Sequence, residues 1–222
     1  MEKDKISKII NETKEFYVKN QEEFSKTRQN PWPGWKRVNE LISENFSHLD
    51  QIKVLDLGCG NGRFYHYLAN NIGLKKVIEY TGLDTNDYLL LEALLKYEHA
   101  SFKNLDVYFN LKELKSKFDV ISAFGITHHI PDTHFRMNWF ENIGKLVDSK
   151  GIFVVTFWDL PSDERFSKAE PATDLEANDF YYGWNDSGTK RYVHFYDNLE
   201  LENIILKLKQ YDFELMDRYE SD

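Results

Sequence analysis

The stretch VLDLGCGNGRF, residues 54–64, decides the class of fold. The apolar run at 52–57 predicts a short buried strand, and the glycines after it predict a tight turn that opens a helix near 63–72. Small residues and exposed backbone N–H groups in such a turn let a ligand approach closely. The stretch therefore indicates a nucleotide-like ligand at the carboxyl end of a strand.

The spacing of the glycines and of two acids narrows the chemical class of the ligand. A dinucleotide fingerprint places its third small residue one position later than Gly62, so NAD is disfavoured. Asp56 precedes Gly58 by two residues, where a carboxylate can pair with an ammonium group of the ligand. Asp84 ends the next predicted strand, 22 residues after Gly62, where an acid can accept hydrogen bonds from two ribose hydroxyls. These positions indicate an amino acid joined to a nucleoside.

Beyond the glycine loop, apolar strands alternate with helices. This alternation predicts an α/β fold with a doubly wound, mainly parallel sheet, whose cofactor-binding core spans residues 50–158. The further strands are predicted at 77–83, 102–108, 118–124 and 150–158, and the further helices at 86–98 and 135–147.

The segments on either side of the core complete the prediction. Residues 1–49 are expected to form an N-terminal helical cap, with helices over 4–26 and 35–49 separated by a proline-containing loop. Residues 159–196 break the alternation and are long enough for a lid-like insertion. Residues 197–222 are predicted to form a helix over 198–210 and a strand over 211–219. We expect one domain over 1–222, in which the last strand of the usual sheet is either missing or supplied by sequence beyond Asp222.

Composition limits the classes of protein. With 222 residues, of which 41% are hydrophobic, the chain can bury a core, so a mainly disordered protein is excluded. No apolar run is long enough for a membrane span, and we expect a cytoplasmic protein. The net charge of −9 opposes nonspecific binding to nucleic acid. Cys59 is the single cysteine, and its small side chain in a tight turn favours packing over nucleophilic chemistry.

The glycine loop and its acids resemble those of the class I S-adenosylmethionine-dependent methyltransferases, which have a Rossmann-like fold. The resemblance implies S-adenosyl-L-methionine as cofactor. It implies cofactor-binding roles for Asp56, Gly58, Gly60 and Asp84. Asp106, 13 residues before Asp119, lies near the position where the family has an acid against the adenine amino group. An ordinary surface acid explains Asp106 equally well.

Three further segments resemble the tRNA wobble-uridine methyltransferases that esterify a 5-carboxymethyl side chain. In that family a Phe-Ser-x-Thr-Arg-x-x-Pro-Trp-Pro segment precedes the core, His-His follows the fourth strand, and an Arg-Tyr-x-His-x-Phe-like segment follows the fifth. The matching residues here are Phe24, Ser25, Thr27, Arg28, Pro31, Trp32, Pro33, His128, His129, Arg191, Tyr192, His194 and, shifted by one position, Phe195.

This second resemblance implies methylation of a carboxylate, with Arg28, His128, Arg191 and His194 as catalytic residues. Arginine forks and neutral histidines suit a carboxylate or a phosphate. Trp32 and Tyr192 are expected to bind substrate by offering a stacking face to an unpaired base of the tRNA anticodon loop. In eukaryotic relatives a small zinc-binding activator protein pairs with the catalytic subunit, so the resemblance admits such a partner here.

Other interpretations stay open at this stage. A small-molecule methyltransferase that acts on a carboxylate or another small metabolite fits the acidic charge better than a tRNA enzyme does. Trp32 between two prolines is also typical of a loop anchor, and His128 or His129 of a helix cap. The histidines lack acids at ligand spacing, so no metal site is predicted.

Overall fold

The computed structural model describes residues 1–72, 76–159, 164–184 and 188–221. These residues form two compact units. The parallel-sheet unit comprises Gln21–Phe124, Lys145–Val155 and the residues from Leu215 onward. The antiparallel unit comprises Met1–Asn20, Gly125–Gly144 and the described part of Thr156–Glu214. The single domain expected over 1–222 stays a prediction.

The parallel-sheet unit is built on a five-stranded sheet with the order β3-β2-β1-β4-β5, in which every neighbouring pair is parallel. The strands are β1 (Gln51–Leu57), β2 (Val77–Asp84), β3 (Ser101–Asn104), β4 (Phe118–Ala123) and β5 (Val147–Val155). The order reverses at β1, which is the topological switch point where ligands bind in such sheets. The prediction of a doubly wound parallel sheet is confirmed.

Four helices belong to this unit: α2 (Gln21–Thr27), α3 (Trp35–Phe46), α4 (Arg63–Asn71) and α5 (Asp87–Lys96). Helix α3 forms because apolar residues recur at helical spacing, and that stripe packs in the core. Its buried residues are Trp35, Val38, Leu41, Ile42 and Phe46. Helix α5 begins at Asn86, whose side chain accepts a hydrogen bond from the backbone N–H of Leu89.

The antiparallel unit contains the helices α1 (Lys3–Lys19), α6 (Thr133–Gly144) and α7 (Asn198–Lys209). Its sheet has the order β6-β7-β8, with strands Glu170–Pro171, Asp179–Gly183 and Lys190–His194. Thus the described part of the predicted insertion 159–196 contains three antiparallel strands, while residues 160–163 and 185–187 of that insertion lie outside the described residues. The lid-like role of the insertion stays a prediction.

The N-terminal helices are present, but the helix expected over 4–26 is two helices. They separate at Asn20, whose Nδ2 donates to the carbonyl oxygen of Phe16 at 2.7 Å and so caps the end of α1. In addition, α1 belongs to the antiparallel unit whereas α2 belongs to the parallel-sheet unit. Apolar spacing continues across Asn20, which is why periodicity alone gives one helix.

Three predicted strands differ from the structure by more than one residue. The strand expected over 150–158 is displaced, since β5 spans Val147–Val155. Strand β3 ends at Asn104 rather than 108, because the Asp106 carboxylate accepts the backbone N–H of Tyr108 in a turn. The strand expected over 211–219 is wrong: residues 211–212 form a turn, and 213–221 have no regular secondary structure. A strand needs a hydrogen-bonded partner, and the segment finds none among the described strands.

Within the described residues, no helix combines the length and apolar character needed to cross a membrane.

Candidate active site

The glycine loop between β1 and α4 contains three glycines in the left-handed backbone conformation. Gly58, Gly60 and Gly62 have φ angles of 71°, 52° and 76°. A Cβ atom at Gly62 would lie 3.0 Å from ring carbons of Tyr97 and Phe102, so the loop is packed closely on that side. At Gly60 a Cβ atom would lie 3.9 Å from side-chain carbons of Leu89 and Phe24, which is an ordinary van der Waals contact. The loop is therefore tight at Gly62 and less crowded at Gly60.

Asp84 lies at the end of β2 and faces the glycine loop. Its Oδ2 accepts the backbone N–H of Gly60 at 2.9 Å, and its Oδ1 accepts those of Thr85 and Asn86 at 2.7 and 2.9 Å. Burial raises the pKa of Asp84, and these backbone N–H groups oppose that rise. The carboxylate is held in one orientation beside Gly60, at a position that suits a ligand with adjacent hydroxyls.

Asp56 is buried inside the sheet, 3% exposed. Its Oδ2 accepts the hydroxyl of Tyr80 at 2.5 Å, and its Oδ1 accepts that of Ser122 at 2.7 Å. Burial raises the pKa of Asp56 to about 6, although both hydroxyls act to lower it. The structure thus uses both carboxylate oxygens of Asp56 within the protein, and its direct pairing with a ligand ammonium group stays a prediction.

The 24–33 segment, which is expected to bind substrate, lies in the same unit as the glycine loop. The Nη1 of Arg28 donates to Thr27 Oγ1 at 3.0 Å, and its guanidinium lies 5.1 Å from the ring centre of Phe24. Trp32 is half-buried, with its ring centre 5.7 Å from that of Trp35 and 5.9 Å from that of Phe124. These contacts agree with Trp32 as a loop anchor and leave its stacking role a prediction.

A second cluster of predicted residues forms in the antiparallel unit. The Arg191 guanidinium is surrounded by aromatic rings at 4.6 to 5.6 Å from their centres, and the side chain is buried. These rings belong to Phe16, Tyr17, Trp158 and Tyr182. Among the described residues, Nε and Nη1 of Arg191 have no hydrogen-bond partner. The result is a buried cation in an aromatic cage with donors left unused, which is costly without an anionic ligand.

His128 lies in this cluster and is fully buried. Its ring is stacked on that of Trp158, and neither ring nitrogen has a partner among the residues that the structure describes. Burial, His129 and Arg191 all lower the pKa of His128. The imidazole is therefore neutral at physiological pH, with one donor and one acceptor unused.

His129 differs from its neighbour because both ring nitrogens are used. Its Nδ1 lies 2.7 Å from the carbonyl oxygen of Tyr192, which requires a proton on Nδ1, and its Nε2 then accepts the hydroxyl of Tyr17 at 2.8 Å. Burial and Arg191 lower the pKa of His129 to about 3. His129 is thus a structural link between α1 and β8.

His194 and Tyr192 belong to a buried hydrogen-bond network. The two ring nitrogens of His194 contact Asp179 Oδ1 at 2.6 Å and Glu200 Oε2 at 2.7 Å. Burial acts to lower the pKa of His194, but these two carboxylates outweigh it and raise the pKa. The Tyr192 hydroxyl also donates to Asp179, at 2.6 Å, and the ring is 1% exposed. Both side chains are engaged within the protein, and their predicted roles at the substrate stay predictions.

Asp106 follows β3 and is half-buried. Its Oδ1 accepts the backbone N–H of Tyr108 at 3.0 Å, and its carbonyl oxygen accepts that of Asn110 at 2.8 Å. These bonds form a tight turn at the carboxyl edge of the parallel sheet, where a cofactor base would be held. The predicted contact of Asp106 with adenine is consistent with this place in the fold and stays a prediction.

The sequence interpretation missed three residues around these clusters. Trp158 follows β5 and provides the ring on which His128 stacks. Asn61 and Arg63 belong to the glycine loop, but their side chains bind the 25–30 segment. The position of Trp158 at the end of the strand predicted over 150–158 was a usable signal, whereas nothing in the spacing indicates the partners of Asn61 and Arg63.

Comparisons with known proteins agree with this geometry. The profile of a methyltransferase domain matches residues 24–217, and the chain belongs to that family. A putative methyltransferase of Encephalitozoon cuniculi is 28% identical over 187 residues, which cover 82% of this chain and 78% of that protein. A tRNA U34 carboxymethyltransferase of Campylobacter hominis is 34% identical over 107 residues, 46% of this chain and 34% of that protein.

Solved structures show the same fold. A SAM-dependent methyltransferase from Methanosarcina mazei matches with a TM-score of 0.60 at 19% identity, over 76% of this chain and 82% of that one. One from Clostridium acetobutylicum matches with a TM-score of 0.55 at 17% identity, over 93% and 89%. The fold is that of the class I methyltransferases, and the chain is an S-adenosylmethionine-dependent methyltransferase.

The residues present fit this cofactor. The glycine loop follows β1 at the switch point of the sheet with three residues at positive φ angles, and the Asp84 carboxylate is fixed next to it at the end of β2. Asp84 would hold the ribose of S-adenosylmethionine, and the glycine loop would hold its methionine end. When bound, the cofactor supplies an electrophilic methyl group on a sulfonium.

Proposed function

We propose that this enzyme methylates the carboxylate of a 5-carboxymethyl side chain on a wobble uridine in tRNA. The observation that carries the proposal is the set of buried donors on Arg191 and His128 that have no partner among the described residues. Four buried nitrogens of these two side chains lack a partner there, and three of them can donate to a carboxylate: Nε and Nη1 of Arg191 and the protonated ring nitrogen of His128.

The ligand of this cage should be an anion. Among the described residues no acid forms an ion pair with Arg191, and its Nε and Nη1 lack the hydrogen-bond partners that a buried charge requires. A neutral His128 adds one N–H donor without a second charge. An amine substrate would be repelled by Arg191, whereas a carboxylate would be bound, and the aromatic walls would exclude water from it.

Methylation of a carboxylate demands little proton chemistry from the protein. The acid is already ionised at neutral pH, so no general base is needed. Arg191 and His128 would bind and orient the carboxylate and strip its water. The neutrality of His128 fits this role, because a second cation would hold the nucleophilic oxygen too strongly.

Two observations support tRNA as the substrate. The segment at 24–33 matches the wobble-uridine family at seven positions, and the relative from Campylobacter hominis that matches part of the chain is described as acting on tRNA U34. Under this proposal Arg28 contacts the substrate, and Trp32 stacks on a base of the anticodon loop. The proposal also keeps supporting roles for Tyr192 and His194 and admits a small activator protein.

The experiment uses labelled S-adenosylmethionine with purified protein in an extract of its source organism, so that an activator is present. RNA is separated from small metabolites and digested to nucleosides. The expected result is label in a wobble-uridine nucleoside that is released by mild base, as a methyl ester would be. Label confined to a base-stable position of the RNA would overturn the carboxylate as acceptor.

Variants test the residues that carry the proposal. Arg191→Met keeps an apolar side chain inside the aromatic cage but removes the charge, so transfer should fall by at least about a hundredfold while cofactor affinity stays unchanged. Lys190→Ala is the matched control, because Lys190 is exposed and pairs with Glu170. Arg28→Ala should also abolish transfer and spare cofactor binding. Unchanged turnover in Arg191→Met would overturn the proposal that Arg191 binds the substrate carboxylate.

A second candidate is a methyltransferase of small carboxylate metabolites. The net charge of −9 favours it, because an enzyme that binds tRNA unaided gains most of its affinity from basic residues. The labelling experiment separates the two candidates. Label only in the metabolite fraction, with no labelled RNA, would establish the metabolite enzyme and make the Arg191 cage a site for its free carboxylate.

A further inference from the structure

Asn61 lies in the glycine loop, but its side chain is bound to the 25–30 segment. It is 6% exposed, and its Nδ2 donates to two acceptors in the 25–30 segment. These are Ser25 Oγ at 3.1 Å and the carbonyl oxygen of Arg28 at 3.2 Å. Both protons of the carboxamide are thus used to hold the backbone and side chains of the segment that carries Arg28.

The Ser25 hydroxyl extends this connection to α5. Because its oxygen accepts from Asn61, its own proton is available, and it donates to Glu92. Ser25 is buried, so the chain from Asn61 through Ser25 to Glu92 is shielded from water for part of its length. Such a connected set of hydrogen bonds fixes the geometry of its members more strongly than separate surface contacts.

Arg63 makes a second connection from the other side of Gly62. Its Nη1 donates to the carbonyl oxygen of Asn30 at 2.6 Å. Its guanidinium lies 5.2 Å from the ring centre of Trp32 and 5.0 Å from that of Trp35. The glycine loop therefore binds the segment at the carbonyls of both Arg28 and Asn30.

The opposite side of the same loop is bound to the predicted ribose acid. The N–H of Gly60, next to Asn61, donates to Asp84 Oδ2. Asn61 is thus held between two attachments, because its neighbour Gly60 is bound to Asp84 and its own side chain is bound to Ser25 and Arg28. A ligand that orders Gly60 and Asp84 therefore acts on Asn61, and through it on the carbonyl of Arg28.

We propose that Asn61 is a positioning residue that couples cofactor binding to the placement of Arg28. Its carboxamide makes the 25–30 segment more ordered when the glycine loop is occupied, and by reciprocity an ordered segment strengthens cofactor binding. The importance of Arg28 for the substrate rests on the proposed function. The coupling itself does not, because it concerns the cofactor and the protein alone.

Limited trypsin digestion reads this coupling without a methyl acceptor. Lys26 and Arg28 lie in the segment, and cleavage after either is identified by mass spectrometry of the intact fragments. Saturating S-adenosylhomocysteine should slow this cleavage in the unaltered protein by about fivefold or more. In Asn61→Ala the same saturation should leave the cleavage rate nearly unchanged, although the ligand still binds.

Two further variants make the test decisive. Ser25→Ala removes one acceptor of Asn61 without altering the glycine loop, and it should reduce the protection by about half or more. Asn70→Ala is the matched control, since Asn70 is exposed and its Nδ2 bonds to the carbonyl of His66 on its own helix. It should keep the full protection.

Full protection in Asn61→Ala at saturating ligand would overturn the coupling. If Asn61→Ala does not fold, Ser25→Ala decides instead, and full protection there would overturn it equally. Neither outcome depends on whether RNA is the substrate, so failure of the coupling and failure of the proposed function are separate results.

Discussion

The imidazole of His128 lies nearly parallel to the indole of Trp158, with ring centres 3.4 Å apart and an angle of 21° between the planes. The stack buries both ring nitrogens of His128, and neither has a partner among the described residues. Stability alone does not explain this choice of residue, because an apolar side chain would fill the space without leaving buried polar atoms unsatisfied. The histidine is better explained by a ligand.

His128→Leu tests whether His128 serves ligand binding at a cost in stability. Leucine has a similar volume and no polar atoms, so the free energy of unfolding should stay equal or rise by about 1 kcal/mol, while methyl transfer should fall by at least about tenfold. Chemical denaturation and the labelled-cofactor assay measure the two effects. A variant that is several kcal/mol less stable would show instead that the His128 nitrogens are satisfied in the folded protein.

Asp84→Asn should weaken cofactor binding by about tenfold to a hundredfold, because an amide cannot accept hydrogen bonds at both positions that the carboxylate offers. Its Nδ2 would also face the N–H of Gly60. Isothermal titration with S-adenosylhomocysteine measures the change. Asp87→Asn, at an exposed position at the start of α5, is the control and should bind as the unaltered protein does. Equal affinities in the two variants would contradict the ribose role of Asp84.

The sequence predicts the parallel sheet well because its strands are apolar runs separated by helices, a pattern set by burial on both faces. The glycine loop is equally readable, since its positive φ angles require glycine at Gly58, Gly60 and Gly62. The hydrogen-bond partners of Asp56 cannot be predicted from the sequence. Tyr80 and Ser122 reach it only through the register of β1 with its two neighbouring strands, and pairing register is a long-range property.

The antiparallel unit is harder to predict for the same reason. In the described part of 159–196, the polar side chains of Asp179, Arg191 and His194 are buried, whereas other charged residues of the same segment are exposed, so the hydropathy pattern does not show which residues face the interior. His194 illustrates this: its partner Asp179 lies on the adjacent strand, and its partner Glu200 lies on α7. Local sequence therefore suggests a catalytic histidine, whereas tertiary contacts supply two carboxylates that use both of its nitrogens.

Glu200 connects this network to a buried arginine. Its Oε1 accepts from Arg136 Nε at 2.7 Å, and its Oε2 contacts His194 at 2.7 Å. Arg136 is 1% exposed, so removal of Glu200 takes a counter-charge from a buried cation. Glu200→Ala should therefore cost about 3–5 kcal/mol of unfolding free energy.

The control for this prediction is Glu202→Ala, two residues further along α7 at an exposed position, which should change stability by less than about 0.5 kcal/mol. Denaturant unfolding at neutral pH measures both variants. A similarly small effect of Glu200→Ala would mean that Glu176, which also pairs with Arg136 at 2.9 Å, compensates the charge by itself.

Acid should destabilise the protein through His129. This buried histidine is neutral in the folded state because burial and Arg191 lower its pKa from 6.5 to about 3. An unfolded chain binds the proton at the higher pKa, so between these two values the unfolded state carries more protons than the folded state. The stabilising contribution is thus complete above the unfolded pKa and is lost as the pH falls toward 3.

His129→Asn removes this acid sensitivity while its amide can replace the Nδ1–H donor to the Tyr192 carbonyl. Relative to the variant, the unaltered protein should lose about 3 kcal/mol of unfolding free energy as the pH falls from about 7 to about 4. Denaturant unfolding across that range measures the difference, and His134→Asn, at an exposed position on α6, should keep the acid sensitivity. Parallel stability curves for His129→Asn and the unaltered protein would show that His129 takes up a proton in the folded state.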